Sequence, residues 1–314
     1  MSRSKFLVFS GSSNPELADA IVRIMKKEIG QCKRGVFADG EISFQSHENV
    51  RGADVFVIQS LCRDINFHVM ELLLMADAFK RASARRITAV IPYYAYARQD
   101  RKDRPRVPIS ARLLADLLQA AGFFRVLTMD LHSQQIQGFF NLPVDNLLAL
   151  PVFISHFKSM KLHNPVIVSP DAGGVERARL FSRKLQATLA IADKRRTAPN
   201  VAELMHIIGD VNDRDAIIVD DMIDTAGTMT ETVKALKKNG SRRVFAACTH
   251  GLFSGPALER IASSDLDKIY VTDTIPLSSE GLKIDKICSL SVADLFASAI
   301  ESIYKETSVS KLFL

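Results

Sequence analysis

Residues 215–232 read DAIIVDDMIDTAGTMTET. The apolar run Ile217-Ile218-Val219 predicts a buried strand ending in two adjacent carboxylates, Asp220 and Asp221. A turn of small residues follows, Asp224-Thr225-Ala226-Gly227-Thr228, and a helical run opens near Met229. A strand that feeds a short turn and then a helix is half of a βαβ unit, which implies a parallel sheet covered by helices. The same stretch suits a sugar phosphate. N–H groups of the turn and of the helix N-terminus attract a phosphate, Thr225 and Thr228 add hydroxyl donors, and Gly227 permits close backbone approach. Carboxylates at the strand end accept hydrogen bonds from a vicinal diol or help to hold a divalent metal. Adjacent acids after a strand are common by themselves; the ordered combination is much more specific.

Outward from this stretch the chain keeps alternating. Asn14-Pro15 reads as an N-cap with proline at the first helical position, opening a helix over 15–29. Strands are expected over 54–59, 87–91 and 125–129, and helices over 67–82 and 108–121, the latter stopped by Gly122. The second half repeats the style, with strands over 166–168, 216–219, 244–248 and 269–272 and helices over 175–185, 229–239 and 292–305. A weak echo links the halves: 53–66 and 215–227 each run from an acid into an apolar strand and then a polar turn. The expected fold is α/β, with two domains of mainly parallel sheet: residues 1–148 and 149–314, the last residues packing back on the first domain.

Composition narrows the function classes. At 314 residues, 47% hydrophobic and 24% charged, the chain has the size and balance of a two-domain globular protein. No apolar stretch is long enough for a bilayer, and the run at Phe6–Phe9 is too short for a signal segment, so the cytoplasm is expected and a membrane partner is not. Cys32, Cys62, Cys248 and Cys288 have neither CxxC nor zinc spacing and read as reduced thiols. A formal charge of +6 spread over this length is weak evidence for a nucleic-acid partner, which is not expected; an enzyme of polyphosphates gives the same bias.

Further candidate sites also fall near strand ends, where open α/β sheets bind ligands. Ser169-Pro170-Asp171-Ala172-Gly173-Gly174 places an acid and a glycine turn between strand and helix, a phosphate approach or an ordinary βα turn. The loop YARQDRK follows Tyr93 and Tyr94; Arg98 and Gln99 suit a triphosphate and a base edge. Asp130 and His132, at alternate positions after a strand, are expected to converge on one site. Lys194 and Arg196 can bring positive charge to a phosphoryl-transfer transition state. Phe37, Asp39, Gly40 and Glu41 combine an aromatic, a turn and acceptors that fit adenine.

The segments FADGE, YARQDRK, DLHSQQIQGFF, PVDNL, SPDAGG, DKRR and DDMIDTAGT stand in the order and spacing of class I ribose-phosphate pyrophosphokinases, and the chain resembles that family over essentially its whole length. The resemblance implies two phosphoribosyltransferase-type (Rossmann-like) domains and a homohexamer built from dimers. It implies transfer of the β,γ-diphosphoryl group of ATP to the C1 hydroxyl of ribose 5-phosphate, with release of AMP and a requirement for Mg2+. Carried over by motif, Phe37, Asp39, Gly40, Glu41, Arg98 and Gln99 bind ATP, and His132, Asp171 and Asp130 serve the metal. Lys194 and Arg196 are catalytic, and Asp220, Asp221 and Asp224–Thr228 bind ribose 5-phosphate. Arg51, Arg106, Ser308 and Ser310 form a candidate allosteric anion site, although Asn49, Pro105 and Gln134 stand where regulated members often carry serine. Beside a nucleic-acid-binding regulator, which would rest on the basic charge alone, two rival readings follow. One is a non-catalytic regulatory homologue, against which the intact Lys194, Arg196 and DDMIDTAGT argue; the other is a base-using phosphoribosyltransferase, which would not need the Arg98-Gln99 segment.

Overall fold

The computed structural model describes residues 5–195 and 204–313. They form two compact units. The first takes in the chain through Leu148, Thr274–Pro276 and the stretch from Ser291 onward; the second takes in Ala149–Asp273 and Leu277–Leu290.

The first unit runs β1 (Phe6–Ser10), α1 (Pro15–Ile24), a hairpin of β2 (Cys32–Val36) and β3 (Ile42–Ser46), β4 (Asp54–Ile58), α2 (Ile65–Arg81), β5 (Arg86–Ile91), α3 (Ser110–Ala121), β6 (Arg125–Met129) and β7 (Val144–Leu147). β1, β4, β5, β6 and β7 lie side by side in that order, all parallel. Each new strand is added on the same side of the one before, so the sheet never reverses direction. All five residues of β4 are buried, as expected of a parallel strand covered on both faces. Phe9 stacks on Phe79 of α2 at 4.5 Å between ring centres, which fixes α2 against one face.

Helix α1 departs from the sequence expectation. Asn14 does cap it, its side chain accepting the Leu17 N–H, and Pro15 stands at its start. It ends at Ile24 rather than near residue 29. Lys26 turns the backbone at φ 54°, Ile29 bridges to Val8, and the Gly30 N–H donates to the Val8 carbonyl at 2.7 Å. The apolar residues after Ile24 are thus used along the sheet edge, not on a helix face. The β2–β3 hairpin was also not legible, because its partly exposed strands lack a continuous apolar run.

The second unit runs α4 (Leu150–Ser159), β8 (Val166–Ser169), α5 (Val175–Leu185), β9 (Thr188–Arg195), β10 (Leu204–Ile208), β11 (Asp215–Ile223), α6 (Gly227–Lys238), β12 (Arg243–Gly251), α7 (Ala257–Ser263), β13 (Lys268–Thr272) and β14 (Ile287–Leu290). Its sheet order is β10-β9-β8-β11-β12-β13-β14, with β10 antiparallel to β9 and the remaining pairs parallel. From β8 the chain builds one way to β9 and β10, then returns to the other side of β8 with β11. This reversal is a topological switch point. The last helix, α8 (Ala293–Tyr304), belongs to the first unit, where Tyr304 stacks on Phe6 at 4.7 Å. No helix among the described residues is long and apolar enough to cross a membrane.

The two sheets share one detail at the N-terminal ends of their strands. Asp54 opens β4 and is gripped by Arg86, the first residue of β5, through two hydrogen bonds of 2.9 and 3.0 Å. Asp215 opens β11 and is gripped in the same way by Arg243, the first residue of β12. Both carboxylates are buried.

Candidate functional site

The switch point lies between β8 and β11. These strands pair only from Ala216↔Val166 to Ile218↔Val168, and β8 then turns away after Ser169. On its other edge β11 stays paired with β12 as far as Ile223↔Gly251. The strand therefore runs four residues beyond its expected end at Val219, and a crevice opens along its β8 side. Asp220 and Asp221 sit within this extension rather than beyond the strand, and consecutive strand residues point to opposite faces. Asp221 is 3% exposed, while about a third of the Asp220 side chain (33%) reaches solvent.

Both acids face one cation. The Arg177 Nη1 lies 3.3 Å from Asp220 Oδ1 and 3.2 Å from Asp221 Oδ1. Burial raises the Asp220 carboxyl above the ordinary range and the neighbouring Asp221 raises it further; Arg177 only partly offsets them. Two carboxylates crowded into a crevice resist joint ionisation. Arg177 was missed by sequence reading. The available signal was its place on the first turn of the helix that follows SPDAGG.

The turn is shorter than expected. It spans Asp224–Ala226, and α6 begins at Gly227, not Met229. Ala226 caps the helix in the left-handed region, φ 59°, and its carbonyl takes the Thr230 N–H at 3.0 Å. No described residue accepts the N–H of Ala226 or Gly227. With the helix dipole, these open donors make a natural anion cradle. Behind the turn, the Leu252 and Phe253 N–H groups donate to the Ile223 carbonyl at 2.9 and 3.1 Å, and Ser254 N–H donates to the Asp224 carbonyl at 2.9 Å.

Across the crevice the SPDAGG turn is internally braced. Ser169 Oγ donates to the Asp171 carbonyl at 2.7 Å, and Gly174 N–H donates to Asp171 Oδ1 at 2.8 Å. A Cβ on Gly174 would come within 2.8 Å of Ser169 Oγ, so this glycine is required by local packing. Asp171 is exposed, with Oδ2 outside that brace.

The first unit carries its candidate residues on projections. Phe37, Asp39, Gly40 and Glu41 form the exposed tip of the β2–β3 hairpin. There Phe37 N–H donates to the Glu41 carbonyl at 2.7 Å and Asp39 Oδ1 accepts the Glu41 N–H at 3.1 Å. Phe37 is 58% exposed, an aromatic face open to a flat partner. Tyr93 and Tyr94 belong to the core, so of the three tyrosines before Arg98 only Tyr96 is exposed. Arg98 and Gln99 are exposed; Gln99 Oε1 accepts from Ser110, and its carbonyl accepts the Ala111 N–H at 3.2 Å.

The expected convergence of Asp130 and His132 by strand alternation fails. β6 ends at Met129, and Asp130 has φ 41°, so the two residues lie past the strand in irregular backbone. Asp130 and His132 belong to the first unit and Asp171 to the second. Among the described residues no three His, Cys, Asp or Glu side chains gather around a metal-sized space.

Asp193 and Lys194 lie in β9, paired with β10 through Asp193↔His206 and Lys194↔Met205. Arg196 and the side chain of Lys194 lie outside the described residues.

The candidate anion residues are spread over the first unit. Arg51 sits in a turn made by Asn49 Oδ1, and Arg106 lies in the left-handed region at φ 64°. Ser308 Oγ accepts the Ser310 N–H, and Ser310 lines a cleft of about 420 Å3 with Asp54, Arg86, Arg125, Asp145 and Glu306, which neither Arg51 nor Arg106 joins. All four cysteines are free, and burial raises the thiols of Cys62 and Cys248.

Known proteins match this arrangement. Residues 6–122 match the model of the N-terminal domain of ribose phosphate pyrophosphokinase, and residues 194–314 match that of the phosphoribosyl synthetase-associated domain. The ribose-phosphate pyrophosphokinase of Caldanaerobacter subterraneus subsp. tengcongensis is 55% identical over 98% of this chain and 97% of its own length. That of Bacillus caldolyticus is 53% identical over 98% and 97%. The crystal structure of phosphoribosylpyrophosphate synthetase from Mycobacterium smegmatis superposes with a TM-score of 0.91 at 39% identity, covering 96% of this chain and all of that one (100%).

Proposed function

The chain belongs to the ribose-phosphate pyrophosphokinase family and makes 5-phospho-α-D-ribose 1-diphosphate from ATP and ribose 5-phosphate, and on that premise we propose how its residues perform the reaction. One observation carries the assignment: an uncapped helix N-terminus and an acid pair share a single switch point. The 5-phosphate sits on the N–H groups of the Asp224–Thr228 turn, with the Thr225 and Thr228 hydroxyls as further donors. Asp220, the more exposed acid, accepts from the ribose diol; Asp221 and Arg177 hold it in place. Phe37, Asp39, Gly40 and Glu41 take the adenine, and Arg98 and Gln99 take the rest of ATP.

In the reaction the C1 oxygen of ribose 5-phosphate bonds to the β-phosphorus of ATP. The bond from that phosphorus to the oxygen leading to the α-phosphate breaks, AMP leaves, and the hydroxyl proton is released. Such transfers depend mainly on positioning and on charge neutralisation. Lys194 and Arg196 supply cations to the transferring group. Asp130 in the first unit and Asp171 in the second each offer Mg2+ the hard oxygens it prefers, and His132 is the atypical member of the set. When bound, Mg2+ would neutralise charge on the ATP phosphates.

Two further points complete the proposal. The assembly is a homohexamer built from dimers; exposed Leu113 and Leu117, one turn apart on α3, support an associating surface. The location is the cytoplasm, which the four free thiols support. The assignment is tested by incubating the protein with ribose 5-phosphate, Mg2+ and ATP labelled at the β-phosphorus. Label in the sugar product with unlabelled AMP is expected; release of ADP in place of AMP would refute diphosphoryl transfer.

A further inference from the structure

Three successive carbonyls of the ribose 5-phosphate turn are held by one segment, residues 252–260. Main-chain N–H groups take those of Ile223 and Asp224. The third, Thr225, is taken by a side chain: Arg260 Nη1 donates to it at 2.9 Å from α7. A peptide is planar and trans, so its carbonyl and the following N–H point in opposite directions. Fixing the Thr225 carbonyl toward Arg260 therefore aims the Ala226 N–H the other way, and that N–H has no acceptor among the described residues. Ala226 is also in the left-handed region, which disfavours a residue with a Cβ by about 1 kcal/mol. A turn held in that conformation needs a constraint: Thr230 Oγ1 holds the Ala226 carbonyl from within α6 at 2.9 Å, and Arg260 holds the Thr225 carbonyl from a different helix.

Two more facts fit. Arg260 is exposed, and no carboxylate of the described residues pairs with it, so its charge stays available beside the cradle. Its Nη1 would lie 3.3 Å from a Cβ placed on Gly227, so a larger residue there would press on the guanidinium.

We propose that Arg260 is a positioning residue for ribose 5-phosphate: it locks the Thr225 carbonyl so that the Ala226 N–H faces the 5-phosphate, and it adds positive charge beside that group. The proposal rests on the assignment of the Asp224–Thr228 turn to ribose 5-phosphate. Its test compares Arg260→Ala, Arg260→Lys and Thr228→Val in the full-length enzyme, with KM for each substrate, kcat and the melting temperature. Arg260→Ala is expected to raise KM for ribose 5-phosphate about tenfold while KM for ATP stays within about twofold. Arg260→Lys, which keeps the charge and a donor, should recover part of the loss. A KM for ribose 5-phosphate that does not move, or equal rises for both substrates, would overturn the role of Arg260. Thr228→Val separates the two claims. If it raises KM for ribose 5-phosphate and Arg260→Ala does not, the turn stands and the positioning role fails. If it leaves that KM unchanged, the turn itself is misassigned. Should Arg260→Ala not fold, Arg260→Lys carries the comparison, with any KM rise confined to ribose 5-phosphate supporting the proposal and none refuting it.

Discussion

Asp215 and Asp220 stand on the same strand, five residues apart, and their carboxyls shift in opposite directions. At the N-terminal end of β11, burial pushes the Asp215 carboxyl up, but the Arg243 hydrogen bonds and the His163 N–H outweigh it and hold the group below its ordinary range. At the other end, Asp220 and Asp221 share a single arginine, and the Asp220 carboxyl is raised. The first end matches its counterpart in the other unit, Asp54 with Arg86. The second has no such counterpart. β4 ends at Ile58 and is followed by Gln59, whose amide is spent on internal bonds: Oε1 accepts from Ser13, and Nε2 donates to buried Glu71 and to the His68 carbonyl.

The difference follows from how the sheets are wound. In the first unit each strand is added on the same side, so no crevice opens between strands running away from each other, and the candidate ATP residues sit on a hairpin tip and a surface loop. In the second, the return of the chain past β8 ends the β8–β11 ladder at Ile218, two residues before the acids. Shared strand starts preserve the fold; the reversal creates the site.

The comparison can be broken in four ways. The largest effect is expected from Lys194→Ala, which should lower kcat by about 10^3 with a smaller change in KM, because its interaction exists mainly in the transition state. An unchanged kcat in steady-state kinetics would remove Lys194 from the mechanism. Next, Asp215→Ala should lower stability by about 3 kcal/mol, since it leaves Arg243 and a buried site unpaired. Chemical denaturation measures the loss, and KM for both substrates should stay unchanged. A kinetic defect in folded protein would erase the distinction between the two ends of β11.

A smaller effect concerns pH. Asp220 is raised to about 8, so the stability it lends the ligand-free protein is complete below its ordinary value of about 4 and is lost as pH rises through about 8. The melting temperature should therefore fall between about pH 4 and 8, and Asp220→Asn should flatten that fall. An identical slope in the variant would place the titration elsewhere. The smallest effect is expected from Glu41→Ala, which should raise KM for ATP about fivefold and leave KM for ribose 5-phosphate alone. Equal losses would argue against an adenine role for the hairpin tip.

The sequence revealed most of what depends on neighbours along the chain. The Asn14 cap, the Gly122 stop with φ 106°, the α/β alternation and the place of the small-residue turn between β11 and α6 were all legible. What failed depends on distant partners. The length of β11 is set by β12, so the acids seemed to lie beyond a strand that in fact contains them. The end of α1 is set by Val8. Arg177 and Arg260 reach the turn and its acids from helices whose local sequence shows only surface charge.

The most direct test of the central claim is amide hydrogen exchange of the intact protein with saturating ribose 5-phosphate in the absence of ATP. Protection confined to the segment 224–229, with the hairpin tip at 37–41 unchanged, is the result expected if the switch point of the second unit holds the sugar phosphate. Protection of 37–41 with no change at 224–229 would contradict it.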